Sequence, residues 1–245
     1  MMETLFMFIF GAVFGSFACC QAWRIHEKPA KLGNRSVCMN CKNKLAWYDN
    51  IPIISWLILR GKCRKCKAKI GVAEILAEVG LGLVFLALSI QVGFNFNLLI
   101  LGLSFVIFWI LLIFDAKWGE LPVFLMILEI PLAILYQVMN GGDVLQILMS
   151  VGILAGVYYL LYFLSKEKWV GGGDWILCIS IAIFLGTPFL AVIELFLANM
   201  LASVYAIPAA IIKKDRHIPF GPFLILGLVV IILMKDFILR FFYFI

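Results

Sequence analysis

The sequence is poor in charged residues: only 14% of its 245 residues are Asp, Glu, Lys or Arg, whereas 64% are hydrophobic. A soluble domain of this length is about half apolar, so this composition excludes a soluble globular protein. The sequence also lacks basic residues ahead of its first apolar run and a clear small-residue cleavage site, which favours a retained first helix over a cleaved signal peptide. It lacks the interleaved basic and aromatic residues typical of nucleic-acid recognition, so the net charge of +6 predicts no nucleic-acid partner.

Eight hydrophobic runs approach or reach the roughly 20 residues that a helix needs to cross a bilayer. They cover approximately residues 3–22, 72–91, 95–114, 121–139, 143–164, 175–187, 189–212 and 221–242. We therefore predict an all-α polytopic membrane protein with about eight transmembrane helices. The sixth run is short, and we expect its border with the seventh near Thr187 and Pro188.

The basic residues are distributed unevenly along the chain. The segment 23–71 contains 12 of the 20 Lys and Arg residues, and the loops around 115–121, 165–174 and 213–220 contain six more. Lys and Arg accumulate in cytoplasmic loops, so this bias predicts that the segment and the three loops are cytoplasmic and that both termini lie outside. The basic surplus is therefore mainly a topology signal, with some attraction to anionic lipid headgroups.

The one substantial polar segment contains two CxxC pairs separated by 21 residues: Cys38 with Cys41, and Cys63 with Cys66. Two such pairs at this separation are typical of a zinc site, because each pair presents two thiolates and together they complete a tetrahedron. Structural disulfides and redox thiols are the alternatives, and a cytoplasmic location disfavours disulfides. We predict a closed structural zinc site.

Two carboxylates lie at the ends of apolar runs, where acidic side chains are costly and often functional. Asp115 ends the third run, and Asp174 begins the sixth in the stretch VGGGDWIL. The predicted topology brings both to the cytoplasmic side at similar depth. The glycines before Asp174, which are Gly171, Gly172 and Gly173, allow positive φ angles and the close approach of an extended substrate backbone.

Asp174 has a simpler interpretation as the N-cap of a helix, and its pairing with Asp115 favours catalysis. Asp143 follows two glycines in nearly the same letters, but the charge bias assigns it to the opposite side, and we interpret it as a turn and N-cap residue. Two neighbouring carboxyls share one proton. The ionised member can then deprotonate water while the protonated member polarises a peptide carbonyl, which is aspartic-protease chemistry.

Taken together, these motifs resemble the type IV prepilin leader peptidases, which are membrane aspartic peptidases of the GxGD type that also N-methylate their product. The resemblance covers nearly the whole chain. It is carried by GSF at 15–17, RSVCMNC, DNIPIISWLILRGKCRKC, Glu78, Asp115, GGGD at 171–174 and PFGPF at 219–223. The chain departs from the family pattern at Cys19 and Ile176, where Asn and Lys are common.

The resemblance implies that Asp115 and Asp174 cleave the short basic leader from prepilins or pseudopilins at the cytoplasmic face of the membrane. It also implies N-methylation of the new N-terminus with S-adenosylmethionine, in which the segment 23–71 and Glu78 take part. The implied organisation is a first transmembrane helix over 1–22, a cytoplasmic zinc module over 23–71 and a transmembrane peptidase domain over 72–245.

Two other functions fit parts of the sequence. Another GxGD intramembrane peptidase, of the preflagellin or signal-peptide peptidase kind, would use the same acids, but the four cysteines and PFGPF argue against it. A proton-coupled transporter would use acids deep in the membrane, as at Glu129 and Glu194, and two related halves. The sequence has no convincing internal repeat, and its best-placed acids lie at the ends of the apolar runs.

Overall fold

The structure is a computed structural model that describes residues 2–27, 36–38, 40–167, 170–213 and 219–243. Residues 28–35 and 39 of the predicted cytoplasmic segment lie outside the described residues. Parts of two of the predicted basic loops, 168–169 and 214–218, also lie outside them.

The described part of the chain is helical, with two isolated β-bridges and no strand. Eight long apolar helices correspond to the eight predicted runs: α1 (Met2–Glu27), α3 (Val72–Val92), α4 (Phe96–Trp118), α5 (Val123–Met139), α6 (Val144–Ser165), α7 (Gly172–Leu185), α8 (Pro188–Lys213) and α9 (Gly221–Tyr243). A short 3₁₀ helix (Trp47–Asn50) and the five-residue α2 (Ile54–Ile58) lie between α1 and α3. The predicted all-α architecture, with a four-cysteine segment between the first two long helices, is confirmed.

Six of the long helices are long and apolar enough to span a bilayer, and α5 and α7 are shorter apolar helices. The chain is therefore a multi-pass membrane protein. The border predicted near Thr187 is confirmed, because α7 ends at Leu185, Gly186 turns the chain with φ +71°, and α8 begins at Pro188.

The chain divides into two compact units, unit 1 (Met1–Phe94) and unit 2 (Asn95–Ile245). In unit 1, α1 packs along α3 through Gly11 and Gly15, which are four residues apart. A Cβ atom on Gly15 would lie 2.6 Å from the carbonyl oxygen of Ala77, and one on Gly11 would lie 2.6 Å from that of Leu81. Small residues at this spacing let helix backbones approach closely in a membrane.

Unit 2 contains α4 to α9, and its two ends are held by different contacts. At one end, the Asn97 side chain donates to Asn140, and the Gln137 amide donates to the carbonyl groups of Ile183 and Phe184 at 2.6 and 2.9 Å. The opposite end contains the C-terminus of α4 and the N-termini of α5, α7 and α9. Both candidate acids, Asp115 and Asp174, lie at that end.

Candidate functional site

Asp115 lies in the last turn of α4, which ends because Gly119 adopts a left-handed conformation with φ +67° and donates its N–H to the Asp115 carbonyl at 2.8 Å. The side chain is 5% exposed. Its Oδ2 atom accepts a hydrogen bond from the backbone N–H of Gly221 at 2.8 Å. Gly221 is the first residue of α9, where a helix has unpaired N–H groups, so α9 supplies a donor that fixes the Asp115 carboxyl.

Asp174 lies in the first turn of α7, two residues after the helix begins at Gly172. Its Oδ2 atom accepts from the backbone N–H of Gly171, the N-cap residue, at 3.0 Å, and its side chain is 6% exposed. The interpretation of Asp174 as a helix-capping residue is therefore partly correct, because it caps from inside the first turn. The same hydrogen bond fixes the carboxyl at the positive end of the helix dipole.

The structure brings the two acids together at one end of unit 2. Their carboxyl groups are close enough to interact electrostatically. Leu121, in the turn before α5, lies between α7 and α9: a Cβ atom on Gly173 would lie 2.8 Å from Leu121 Cβ, and one on Gly221 would lie 3.4 Å from Leu121 Cδ2. Three helices and one loop thus surround the pair.

The glycines before Asp174 do not adopt the positive φ angles predicted for them. Gly171 has φ −71°, and Gly172 and Gly173 are helical, so the expectation of positive φ angles here is wrong. The φ angles are negative because a helix begins at this point. A glycine is needed at position 173 because a side chain there would collide with Leu121. The close approach that Gly173 allows is that of Leu121 of the same chain.

Asp143 occupies the position predicted for it. It is the N-cap of α6, and its carboxylate accepts from the backbone N–H of Leu145 at 3.1 Å. Tyr162, near the other end of α6, contacts Gly172 beside the candidate acids. Because α6 has 22 residues and is about 33 Å long, Asp143 and Asp174 lie at opposite ends of unit 2.

Sequence reasoning assigned no role to Gly221 or Leu121, which form the immediate surroundings of Asp115. Gly221 lies in the motif PFGPF, which contributed to the family resemblance but predicted no contact with Asp115. Phe220 of that motif packs against the Tyr158 ring with 5.3 Å between centroids, and the Tyr158 hydroxyl accepts from Asn199 at 2.8 Å. The motif therefore packs against α6, which is hydrogen-bonded to α8, and it contains the backbone N–H that binds Asp115.

Glu129 and Glu194 are completely buried in unit 2. Among the described residues, neither carboxylate has a hydrogen bond of good geometry; the Ser104 side chain lies beside Glu129, and the Glu194 oxygens lie close to Gly227 of α9. A bulky carboxyl is accommodated there because Gly227 has no side chain.

The four cysteines lie in the cysteine module, the described residues 36–38 and 40–71 of unit 1. Its two CxxC turns have the same hydrogen-bond pattern. Cys38 N–H donates to the Asn43 carbonyl at 2.9 Å, and Cys63 N–H donates to the Ala68 carbonyl at 2.8 Å. In each turn the residue after the second cysteine, Lys42 or Lys67, has positive φ and donates back to the first cysteine.

The cysteine sulfurs form a cluster that could hold a metal ion. All four Sγ atoms lie within 4.8 Å of one another, and those of Cys38 and Cys66 are 3.8 Å apart. A zinc ion with sulfur ligands at about 2.3 Å separates them by about 3.8 Å in a tetrahedron, so the residues fit the metal. The backbone N–H of Cys41 lowers the pKa of the Cys38 thiol, and that of Ala68 lowers the pKa of Cys66 to about 6, which favours thiolates at these two positions. At Cys41, the backbone N–H of Asn43 is outweighed by desolvation and the neighbouring Cys66 and Cys38 thiols, which raise the pKa to about 11.

Glu78 lies on α3 and belongs to unit 1, whereas both candidate acids belong to unit 2. Its Oε2 atom accepts from the backbone N–H of Ile53 at 2.7 Å. Ile53 has φ +63° and ψ −54°, and Ile54 N–H donates to the Pro52 carbonyl at 2.6 Å, which is a γ-turn of the rare positive-φ kind. Glu78 therefore fixes a strained turn of the cysteine module.

Comparisons with known proteins agree with the motifs. The family model of the Bacterial Peptidase A24 N-terminal domain matches residues 9–92. A prepilin leader peptidase/N-methyltransferase of Dichelobacter nodosus is 32% identical over 77% of this chain and 67% of its own length. The chain belongs to the prepilin leader peptidase/N-methyltransferase family.

Other members of this family match over almost their entire length. The prepilin leader peptidase/N-methyltransferase of Vibrio cholerae is 28% identical over 94% of this chain and 97% of its own length. That of Bacillus subtilis is 27% identical over 96% of both chains. No solved structure matches the chain.

Proposed function

We propose that the chain is a membrane aspartic peptidase that removes the short basic leader of prepilins or pseudopilins at the cytoplasmic face of the membrane. Asp115 and Asp174 are the catalytic pair, and the new N-terminus is then methylated. The observation that carries this proposal is the meeting of two buried carboxyls, from α4 and α7, at one end of unit 2. The names and near-complete coverage of the relatives support the choice of substrate.

The reaction needs one carboxylate and one carboxylic acid. The ionised aspartate takes a proton from a water molecule whose oxygen attacks the scissile carbonyl carbon, while the protonated aspartate donates to the carbonyl oxygen. The tetrahedral intermediate then collapses: the C–N bond breaks, the leaving amine receives a proton from the first aspartate, and one hydroxyl of the intermediate returns a proton to the second aspartate as the new carbonyl forms. This leaves the pair ready for the next cycle with one shared proton.

The chain supplies the groups that hold this pair in place. Gly221 N–H and Gly171 N–H each bind the Oδ2 atom of one aspartate, which fixes the direction of the carboxyl. Preorganised carboxyls do not have to reorient as charge develops.

The basic loops support the cytoplasmic assignment. Lys117 follows Asp115, and Lys166 precedes Asp174, so both acids lie beside loops that carry positive charge. A prepilin-like substrate whose basic leader stays in the cytoplasm and whose apolar helix stays in the membrane would reach the acids at the junction between them.

We infer that Cys38, Cys41, Cys63 and Cys66 hold a structural Zn²⁺ ion, which completes the cysteine module. Four thiolates fill the tetrahedron, so the ion has no open position for catalysis. The family resemblance and the methyltransferase names of the relatives support S-adenosylmethionine as the methyl donor. The described residues contain no glycine-rich loop between a strand and a helix, so no residue is assigned to that cofactor.

The proposal is tested by incubating the purified full chain with a prepilin-like peptide and S-adenosylmethionine. Mass spectrometry scores the loss of the leader and the gain of one methyl group separately. We expect both products from the wild-type chain and from Asp143→Asn, and no leader loss from Asp115→Asn or Asp174→Asn. Cleavage by Asp174→Asn at the wild-type rate would disprove the catalytic pair.

A further inference from the structure

The short helix α2 has an apolar face that is largely exposed in the described part of the chain. Ile54, Leu57 and Ile58 are spaced i, i+3, i+4, so they lie on one side of the helix. Their exposed fractions are 54%, 57% and 70%. On the opposite side, the Trp56 ring lies against Gly61, at whose position a Cβ atom would be 2.9 Å from Trp56 Cζ2. The helix thus has one side fixed to the module and one side open.

The depth of α2 follows from a single hydrogen bond. Ile53, the residue before α2, donates its N–H to Glu78 Oε2 at 2.7 Å. Glu78 lies six residues inside α3, which begins at Val72 as one of the apolar helices long enough to span a bilayer. Six helical residues correspond to about 9 Å. The start of α2 is therefore level with the second turn of a spanning helix rather than beyond its end.

The residues that follow α2 are strongly basic. Arg60, Lys62, Arg64, Lys65, Lys67 and Lys69 lie within ten residues of one another, and all six are exposed. Arg64 pairs with Asp49 at 2.9 Å, and Asp49 is the one acidic residue of the described module. The surface beside the apolar face of α2 therefore has a large excess of positive charge.

We propose that α2 is an interfacial membrane anchor whose apolar face inserts among anionic phospholipid headgroups. An apolar stripe flanked by Lys and Arg is the pattern of helices that lie in the plane of the interface. Basic residues next to such a stripe are attracted to anionic lipid. The Ile53–Glu78 hydrogen bond holds the stripe at the depth where lipid is the neighbouring medium.

A second copy of the chain or a substrate helix would also cover an apolar face, but the charge favours lipid. Two copies facing each other would bring two basic surfaces together, which is repulsive. A prepilin leader is itself basic, so it would be repelled by the same residues. Anionic headgroups complement both the apolar face and its basic border.

The test is photocrosslinking of the full chain in nanodiscs. One variant is Ile58→p-benzoylphenylalanine, on the open side of α2, and its matched control is Trp56→p-benzoylphenylalanine, on the side that faces Gly61. Irradiation is carried out in nanodiscs of phosphatidylglycerol and of phosphatidylcholine, and adducts are identified by mass spectrometry. Metal content equal to that of the wild type shows that each variant has kept its module folded.

We expect an adduct of one phospholipid at position 58, several-fold more abundant than at position 56 and more abundant in phosphatidylglycerol. Leu57→p-benzoylphenylalanine, a second site on the open side, should behave as Ile58→p-benzoylphenylalanine does. A crosslinked dimer, or an adduct within the same chain at position 58, would overturn the proposal. Equal lipid yields at 56 and 58 would overturn it as well, and equal yields in the two lipids would remove the role of the basic residues.

Discussion

The cysteine module of unit 1 and the acid pair of unit 2 hold their polar groups by different means. Of the described module residues, only Gly61 and Cys63 are buried, so this segment has no hydrophobic core. In unit 2, by contrast, Asp115 and Asp174 lie among helices with many fully buried side chains. A segment without a core needs another cross-link to fix its fold, and four thiolates around one metal ion can supply it.

The two regions also differ in which residue types have positive φ angles. Lys42, Ile53, Arg60 and Lys67 of the module have positive φ angles without being glycine. At the ends of the unit 2 helices α4 and α7, the left-handed positions are glycines, Gly119 and Gly186, which adopt them without strain. The end of α6 is an exception in unit 2, because Lys166 and Glu167 have φ +50° and +67°. The module therefore contains several unfavourable backbone conformations at non-glycine residues, whereas the two acids of unit 2 lie at helix ends.

The largest expected effect is the loss of leader cleavage in a variant of unit 2 that keeps methyl transfer. Asp174→Asn should lower the rate of leader cleavage by at least about 10²-fold, because the pair loses its general base or acid. Transfer of a methyl group to a peptide that already lacks its leader should stay within about twofold of wild type, if that step belongs to unit 1. Single-turnover assays on the two peptides measure both rates. A parallel loss of both activities would show that the two regions do not act independently.

The next largest effect concerns the metal. Cys63→Ser should abolish stoichiometric zinc, because structural zinc sites contribute on the order of 10 kcal/mol to folding. Hydrogen exchange should then rise throughout the module and change little in α4 to α9. Elemental analysis and exchange mass spectrometry measure the two outcomes.

Cys178→Ser, at a buried cysteine of unit 2 outside the cluster, is the control and should retain the metal. A module that exchanges at the wild-type rate without zinc would refute the role of the metal as its cross-link.

Gly221→Ala tests whether helix ends fix the acids. A Cβ atom at this position would lie 2.8 Å from Asp115 Oδ2, so the carboxyl must move. A displacement of about 1 Å at a catalytic group can cost about 10²-fold in rate, and we expect a loss of that order in cleavage. Gly152→Ala on α6, where nothing lies within 4 Å, should cleave as the wild type does. Unchanged cleavage by Gly221→Ala would mean that this hydrogen bond does not position Asp115.

The smallest effect is expected at the turn that Glu78 fixes. Glu78→Ala removes the acceptor of the Ile53 N–H, and a hydrogen bond to a charged group contributes about 1.5–3 kcal/mol. Amide exchange in residues 52–58 should accelerate roughly tenfold or more, since about 1.4 kcal/mol corresponds to a factor of ten. Glu78→Gln keeps an acceptor and should exchange several-fold more slowly than Glu78→Ala. Equal exchange in the two variants would contradict this assignment.

Much of the fold could be predicted because lipid imposes simple rules on sequence. Runs of about 20 apolar residues predicted the eight long helices, and the CxxC spacing predicted the cysteine cluster that the structure contains. The pairing of Asp115 with Asp174 could be predicted from the alternation of helix ends across the membrane. The packing of Gly173 against Leu121 could not be predicted, because a glycine in the sequence does not indicate which residue will lie next to it.

The sequence by itself determined the membrane class, the order of the helices and the residue types available for metal binding and acid chemistry. These depend on composition and spacing, which are local properties of the chain. Only the tertiary structure decided that Gly221 binds Asp115 across 106 residues of sequence and that Glu78 binds the strained turn at Ile53. Backbone N–H groups are the same in every residue except proline, so their partners follow from packing and not from the letters.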